Sequence, residues 1–269
     1  MGLKFGTLWF GNKPTLLQQL SWNSYIYHGH ELNIYLYDMS IEVPEGAIKK
    51  DANEIVLEKD IFLTKFDNEL FGGGHAQFAD FFRLHMLKNT NLIWTDSDSV
   101  CLKDEWPDPE PYLFGFLIDK PYPAKEPVRI GNGILYINDK KILNELIDNF
   151  VFIPNGSQKD QIANGPELLT KIIEKNNLTS FAKEESVFNP IRYSHIDSFL
   201  DPISFEYSKK LIRNSVAVSL FSSSWKRHQV EIPSMSSTPQ ENTLIGYLTK
   251  KYMAKQLNLT EKKGETNGI

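Results

Sequence analysis

The sequence has one cysteine, Cys101, among its 269 residues, so an internal disulfide framework is excluded. Cys101 lies in the apolar run from Val100 to Leu102, where a small buried hydrophobic residue is favoured over a reactive thiol. We therefore expect the protein to fold in a reducing compartment and to be held together by its core alone.

Long hydrophobic runs and basic tracts are also missing. No stretch of about twenty apolar residues occurs, which is the length that a membrane-spanning helix needs. Residues 1–5 enter a strand-like pattern without a basic-then-apolar secretory signal. The formal net charge is −5, and without a basic tract the chain offers no surface to a phosphate backbone, so nucleic acid is not expected as a partner. Any anionic substrate must be bound locally, by a metal ion or a few basic side chains.

The chain has 41% hydrophobic and 23% charged residues. This composition and length agree with a compact enzyme that buries one sizeable core. Strand-like and helix-like segments alternate along the chain. The pattern predicts strands over 4–10, 32–37, 112–117 and 133–137, helices over 14–28, 74–88, 140–149 and 166–176, and an irregular segment over 38–69. This succession is typical of an α/β fold with a doubly wound, mainly parallel sheet flanked by helices. We place one domain over 1–236, with a C-terminal helix (238–256) and a polar tail in 237–269 packed on it.

The most informative segment is 91–102, an apolar strand-like run that is interrupted by the acidic pair Asp96 and Asp98. If the segment is extended throughout, the two carboxylates point to the same side. Mg²⁺ and Mn²⁺ prefer carboxylate ligands and keep positions open for substrate phosphates. Ligands of open α/β sheets bind at the carboxyl ends of strands. The pair therefore predicts a divalent-cation site for phosphate chemistry.

A helix-like segment precedes this pair and carries Asp80 and Arg83, three residues apart on one face. A solvated ion pair within the helix is the plain interpretation of that spacing. A functional interpretation is favoured by the pattern FADFFRL over 78–84 and by the position of Asp96, thirteen residues after Arg83. Together these motifs resemble the DXD-containing, retaining glycosyltransferases of the GT-A fold. That superfamily includes yeast-type mannosyltransferases, globotriaosylceramide synthase, bacterial capsule enzymes and clostridial glucosylating toxins.

The resemblance implies a Rossmann-like nucleotide-binding core that transfers a hexose from a nucleotide-diphosphate sugar to a saccharide or other hydroxyl acceptor, with retention. UDP-sugar is the favoured donor and GDP-sugar the alternative. Asp96 and Asp98 would hold Mn²⁺ or Mg²⁺, Arg83 would donate to sugar hydroxyls or phosphate, and Asp80 would accept from a sugar or ribose hydroxyl. Eukaryotic relatives carry a Golgi anchor, and without one we expect a cytoplasmic enzyme of bacterial or viral origin, in polysaccharide biosynthesis.

Further segments resemble the family in their order along the chain. Leu8 and Trp9 match the first-strand segment whose tryptophan helps to hold a uracil ring, although a core tryptophan is an equally good interpretation. Ser97 lies between the two acidic residues of the DXD motif. Asn132 matches an asparagine that enters the strand beside the site. These residues are expected to contact the nucleotide sugar.

The segment from 216 to 225 resembles the family's C-terminal strand, which ends in Ser-Trp near the diphosphate and the metal. By this match Ser223 and Trp225 would contact the donor. Many relatives have a histidine or glutamate in that strand, where this chain has Ser219 and Leu220. Because of that difference, the remaining protein ligand of the metal is not assigned, and Ser223 and Ser224 are weak candidates.

Two other functions compete for the same residues. A haloacid-dehalogenase-type phosphatase also has an apolar strand followed by a DXD motif, here Asp96 and Asp98. It requires a later acidic pair after an apolar run, whereas the best-placed pair, Asp197 and Asp201, follows a polar segment. A non-catalytic sugar-nucleotide-binding relative stays open because no acidic or histidine ligand is found near Ser219.

The predicted C-terminal helix has an apolar stripe beside several lysines. Such a helix can lie on an anionic membrane, but packing of the stripe on the domain is the favoured interpretation. The residues concerned are Leu244, Ile245, Leu248, Tyr252 and Met253 in the stripe, and Lys250, Lys251 and Lys255 beside it.

Overall fold

A computed structural model of the chain describes residues 2–11, 13–66, 74–118, 128–156, 160, 162–225, 231–233, 235 and 239–257. The strands in these ranges are β1 Lys4–Trp9, β2 Glu31–Leu36, β3 Ile48–Asp51, β4 Lys65–Phe66, β5 Ile93–Thr95, β6 Ser99–Cys101, β7 Tyr112–Ile118, β8 Val128–Ile137, β9 Asn155–Gly156 and β10 Ala217–Ser219. The α-helices are α1 Leu16–Tyr27, α2 His75–Asn89, α3 Lys140–Asp148, α4 Leu168–Lys175, α5 Glu185–Phe188, α6 Phe205–Ile212, α7 Ser222–Trp225 and α8 Leu244–Met253.

The central sheet has six strands in the order β3-β2-β1-β5-β8-β7. Strands β3, β2, β1 and β5 are mutually parallel, and β8 runs antiparallel to both of its neighbours, β5 and β7. Five strands therefore share one direction, and their carboxyl ends lie at one edge of the sheet. The prediction of a mainly parallel α/β sheet flanked by helices is confirmed, and the topology is consistent with a GT-A-like, Rossmann-type core.

Helices cover both faces of this sheet. The ring of Phe5 on β1 lies 4.7 Å from the ring of Tyr25 on α1. A side chain at the next residue, Gly6, would meet Met86 on α2. Because successive strand residues point to opposite faces, α1 and α2 lie on opposite sides of the sheet. The doubly wound arrangement follows directly from this alternation.

A second hydrophobic cluster joins α1, α8 and the strand pair of β6 and β10. The apolar stripe of α8 belongs to it, since Leu244 and Ile245 are fully buried and Leu248 and Met253 nearly so. The stripe therefore packs on the rest of the protein, as the sequence favoured, and is not available for a membrane surface. Within the described residues, no helix is both long enough and apolar enough to cross a bilayer.

Several predicted boundaries differ from those observed. The first helix begins at Leu16 rather than Pro14, because Thr15 caps it in a capping box with Gln18. Strand β3 lies within the segment that was expected to be irregular, because its sequence, IKKD, has no alternation of apolar and polar residues. It is an edge strand that pairs in parallel with β2. A π-helical turn over Ala163–Glu167 precedes α4. The C-terminal helix spans only Leu244–Met253, and 236–238 and the predicted tail from 258 lie outside the described residues.

Cys101 is fully buried, and burial raises the pKa of its thiol to about 12. The thiol is therefore not a nucleophile, and the interpretation of Cys101 as a core residue is confirmed.

Candidate active site

The acidic pair lies in a turn and not in one continuous strand. Asp96 directly follows β5, and its amide donates to the carbonyl of Gly133 on β8 at 2.8 Å. The Ser99 amide then donates to the carbonyl of Asp96 at 3.0 Å and closes the turn. The chain leaves the central sheet at this point, because β6 pairs with β10 instead. The segment 91–102 is therefore not extended throughout, but the turn still places both carboxylates at the carboxyl end of β5.

Arg83 connects the helix α2 to this turn. Its Nη1 donates to Oδ1 of Asp80 at 2.8 Å, and its Nη2 donates to Oδ1 of Asp96, also at 2.8 Å. The Arg83 side chain is only 5% exposed. The pair on α2 is thus neither solvated nor confined to the helix. It is a buried bridge between two carboxylates, and such bridges depend strongly on each partner being present.

Trp94, the middle residue of β5, supports the same carboxylate. Its indole Nε1 donates to Oδ1 of Asp96 at 2.9 Å, and the Arg83 guanidinium lies 4.7 Å from its ring centre. This role of Trp94 was not predicted, although the two-residue spacing between Trp94 and Asp96 carries a signal for it. Together Arg83 and Trp94 fix one oxygen of Asp96 and leave its Oδ2 without a hydrogen-bond donor among the described residues.

Asp80 is enclosed by neighbours from two other elements. Nδ2 of Asn132, on β8, donates to its Oδ1 at 2.8 Å. Gly165, in the π-helical turn, lies so close that a Cβ there would be 2.9 Å from Oδ2 of Asp80. Burial raises the pKa of Asp80 to about 6; Arg83 opposes that shift, and the negative charge of Asp96 adds to it. The structure thus brings Asp80, Arg83, Asp96 and Asn132 into one network.

Asp98 is held from the other side, by the segment after β10. Its Oδ2 accepts from the Ser222 amide at 2.6 Å, and its carbonyl accepts from the Leu220 amide at 2.9 Å. Burial raises the pKa of Asp98, and the nearby charge of Asp96 raises it further. Two carboxylates that repel each other in this way form a site that a cation would stabilise. The role of Ser222 was missed, because it depends in part on a backbone amide, which every residue type has.

The remaining predicted site residues differ in how exposed they are. Trp9, at the carboxyl end of β1, is half-buried, and its ring lies edge to face on Trp22 at 6.2 Å, whereas Leu8 is buried in the core. Ser97 is half-buried and Ser223 is exposed. Trp9, Ser97 and Ser223 are thus accessible to a ligand.

Trp225 is fully buried. Its Nε1 donates to the carbonyl of Leu220 at 2.6 Å, and its ring stacks on that of Phe199 at 6.3 Å. This tryptophan therefore supports the loop that carries Ser222 from within the core, and we do not retain it as a residue that contacts the donor.

The donor set at the turn suits a hard cation with few protein ligands. Within the ranges that the structure describes, no group of three or more histidine, cysteine, aspartate or glutamate residues could hold a metal ion. Asp96 and Asp98 provide two carboxylates, and neither Ser219 nor Leu220 adds an acidic one. Mg²⁺ is commonly bound by one or two carboxylates while waters and substrate phosphates complete its coordination. The residues present fit that kind of site.

The acidic pair that a phosphatase would need lies elsewhere. Asp197 is in the 3-10 helix Tyr193–Phe199, and Oδ2 of Asp201 accepts from the Ser204 amide at 3.1 Å at the start of α6. Neither carboxylate joins the Asp96 network. In addition, β5 is flanked on one side by the antiparallel strand β8. The structure does not favour the phosphatase.

No protein family and no curated protein matches the sequence. One solved structure to which the chain is similar is described as "PaToxG Glycosyltransferase". The two share 14% sequence identity with a TM-score of 0.41, over 91% of this chain and 85% of that one. A likeness at this level supports no functional conclusion for this chain.

Proposed function

We propose that this protein is a metal-dependent glycosyltransferase that transfers a hexose from a nucleoside-diphosphate sugar to a hydroxyl group of a saccharide or other acceptor. The observation that carries the proposal is the position of Asp96 and Asp98. They lie at the carboxyl end of a central parallel strand, where α/β sheets bind nucleotides, and Arg83 orients one of them from α2. The resemblance of the two motifs to DXD glycosyltransferases supports the same function.

Asp96 and Asp98 would hold Mn²⁺ or Mg²⁺. When bound, the cation would supply Lewis-acid stabilisation of the negative charge that develops on the departing diphosphate. The Oδ2 atom of Asp96 is the natural ligand atom, since its Oδ1 is already used by Arg83 and Trp94.

Arg83 acts in this proposal through Asp96 and not on the sugar. Both of its terminal nitrogens donate to carboxylates, and its side chain is almost completely buried. It is a positioning residue, which holds Asp96 in one rotamer before the donor arrives. Asp80 in turn holds Arg83, and Asn132 holds Asp80.

Trp9 and the serines around the turn are the candidates for direct donor contacts. Trp9 is half-buried at the carboxyl end of β1, where its indole offers a surface on which a base would stack for about 1–3 kcal/mol. UDP-sugar is the favoured donor and GDP-sugar the alternative. Retention of configuration is part of the proposal, with reaction on one face of the sugar and without an assigned nucleophile.

A thermal-shift panel of nucleotide sugars, with and without Mn²⁺, tests the proposal. Ligands that bind only the native state raise the melting temperature by mass action, so we expect one diphosphate sugar to raise it strongly and only when Mn²⁺ is present. Release of the nucleoside diphosphate by that pair would show turnover. Stabilisation without release, across a panel of acceptors, would instead indicate a non-catalytic sugar-nucleotide-binding protein. Stabilisation by phosphate mimics alone would refute the transferase.

A further inference from the structure

A cavity of ≈ 450 Å³ lies between α6, α8 and the end of the strand β6. Its lining includes none of the candidate site residues Asp80, Arg83, Asp96, Asp98 and Asn132. The cavity is therefore distinct from the candidate active site. Its volume is within the usual range for small-molecule sites.

The lining of this cavity is strongly basic. It has five cationic side chains and one carboxylate, a formal charge of +4 in a chain whose net charge is −5. A concave wall lined by charges of one sign concentrates the electrostatic potential and attracts counter-ions. The charged residues are Lys103, Lys209, Lys210, Arg213, Lys251 and Glu206.

Most of these cations have no carboxylate partner. Lys209 is paired with Glu206, with Nζ 3.1 Å from Oε1, but the other four form no ion pair with any carboxylate in the described part of the chain. Lys250 is a useful contrast, because it lies on α8 outside the cavity and is paired with Glu241 at 2.9 Å. Four positive charges without an ion-pair partner in the described ranges therefore line this one cavity.

Aromatic rings hold two of the ammonium groups in place. Nζ of Lys251 lies 4.8 Å from the ring centre of Tyr252, and Nζ of Lys209 lies 5.7 Å from that of Tyr247. Such contacts orient a lysine side chain without pairing its charge with a carboxylate. The phenol of Tyr247, which lines the cavity and is 37% exposed, adds a hydrogen-bond donor.

We propose that this cavity binds a small phosphate-bearing anion, either as a free compound or as the headgroup of a lipid. Ammonium groups and a guanidinium fork are the side chains that recognise phosphate oxygens. Here Lys103, Lys210, Lys251 and Arg213 provide both kinds around one concave surface. This inference is independent of the glycosyltransferase proposal, since it uses none of the same residues.

The test uses the full chain in EDTA, so that no divalent cation links a phosphate to the Asp96 site. Inorganic pyrophosphate is titrated by calorimetry, and sedimentation is measured with vesicles of phosphatidylcholine, with and without phosphatidic acid. The cavity variant is Lys210→Gln/Arg213→Gln, in which both side chains are exposed. The matched control is Lys140→Gln/Lys141→Gln, which removes the same charge from the exposed start of α3.

We expect wild type and control to bind pyrophosphate, acidic vesicles or both, and the cavity variant to bind at least about tenfold more weakly. Raised salt should weaken binding in each case. If the cavity variant loses binding to pyrophosphate, the ligand is a soluble compound. If it loses binding only to the acidic vesicles, the ligand is a lipid headgroup. No binding in either arm, or equal weakening in the control variant, would overturn the proposal.

Discussion

The guanidinium of Arg83 and the carboxylate of Asp96 meet across 2.8 Å, although one is on a helix and the other follows a strand thirteen residues later. The contact is nearly excluded from water on the arginine side, while the Asp96 side chain is 34% exposed. One end of the pair is therefore anchored in the protein and the other reaches the solvent. This is the arrangement that a pre-oriented metal or substrate ligand requires.

Removal of Arg83 should destabilise the fold. Arg83→Ala leaves Asp80 buried without its cation, and we expect the free energy of unfolding to fall by about 3–5 kcal/mol. Urea unfolding measures the change. Arg83→Lys, which cannot bridge both carboxylates, should be intermediate. Lys4→Ala is the control, because the pair of Lys4 with Glu31 is exposed and should contribute less than about 1 kcal/mol. Equal stabilities of Arg83→Ala and wild type would contradict the bridge.

Asp98→Asn should weaken metal binding strongly without unfolding the protein. The asparagine still accepts the Ser222 amide bond, and it removes the repulsion from Asp96, so the stability without metal should be unchanged or higher. Affinity for Mn²⁺, measured by calorimetry, should fall more than about tenfold. The exposed Asp104→Asn variant removes the same charge elsewhere and should bind Mn²⁺ as the wild type does. Unchanged affinity in Asp98→Asn would remove the proposed metal site.

Asp80 should make the protein less stable as the pH rises. Burial raises its pKa in the folded state to about 6, against an ordinary value of 3.8. Between about pH 4 and pH 6 the unfolded chain therefore releases this proton while the folded protein keeps it. The contribution of Asp80 to stability is full below this window and falls across it, by an amount on the order of 1–3 kcal/mol.

The difference between wild type and Asp80→Asn isolates this effect. Denaturant unfolding of both proteins is measured from about pH 4 to about pH 7. The stability of wild type relative to the variant should decrease as the pH rises through the window. A difference that is constant, or that grows with pH, would show that Asp80 titrates normally.

Gly165→Ala should disturb the network without changing any charge. The added Cβ would lie 2.6 Å from Nδ2 of Asn132 and 2.9 Å from Oδ2 of Asp80, and overpacking of this kind costs about 1–3 kcal/mol. Gly131→Ala is the matched control, because its nearest neighbour would be at 3.4 Å. We expect a lower melting temperature and weaker donor binding only for Gly165→Ala. Similar behaviour of the two variants would mean that the close approach at Gly165 is not important.

Local sequence patterns predicted much of the fold. The helices over 74–88 and 140–149 and the strands near 32–37 and 112–117 agree with the structure to within about a residue or two at most ends, because their periodicity records which face is buried. Strand β3 was missed for the same reason, because this edge strand has two lysines and no alternation of apolar and polar residues. Its pairing with β2 depends on a neighbour distant in sequence.

Some of the candidate site was predictable, and some of it was not. Asp96 stood out because a carboxylate directly after an apolar strand has few purely structural uses. Trp225 was assigned to the donor site from its neighbours in the sequence, whereas the structure buries it against Phe199. Whether a tryptophan faces a cleft or a core depends on the elements that pack over it, and this information is not local.

The sequence by itself determined the alternation of strands and helices, the absence of disulfides, and the acidic pair after a buried strand, since each is a property of residue type and near-neighbour spacing. Only the tertiary structure decided that Arg83 joins Asp80 to Asp96, that a turn and not a strand presents the pair, and that five cationic side chains line one cavity. The physical reason is that ion pairs and buried hydrogen bonds act over a few ångströms in space. The partners that come so close are chosen by the packing of α2 on the sheet and of α8 on α6.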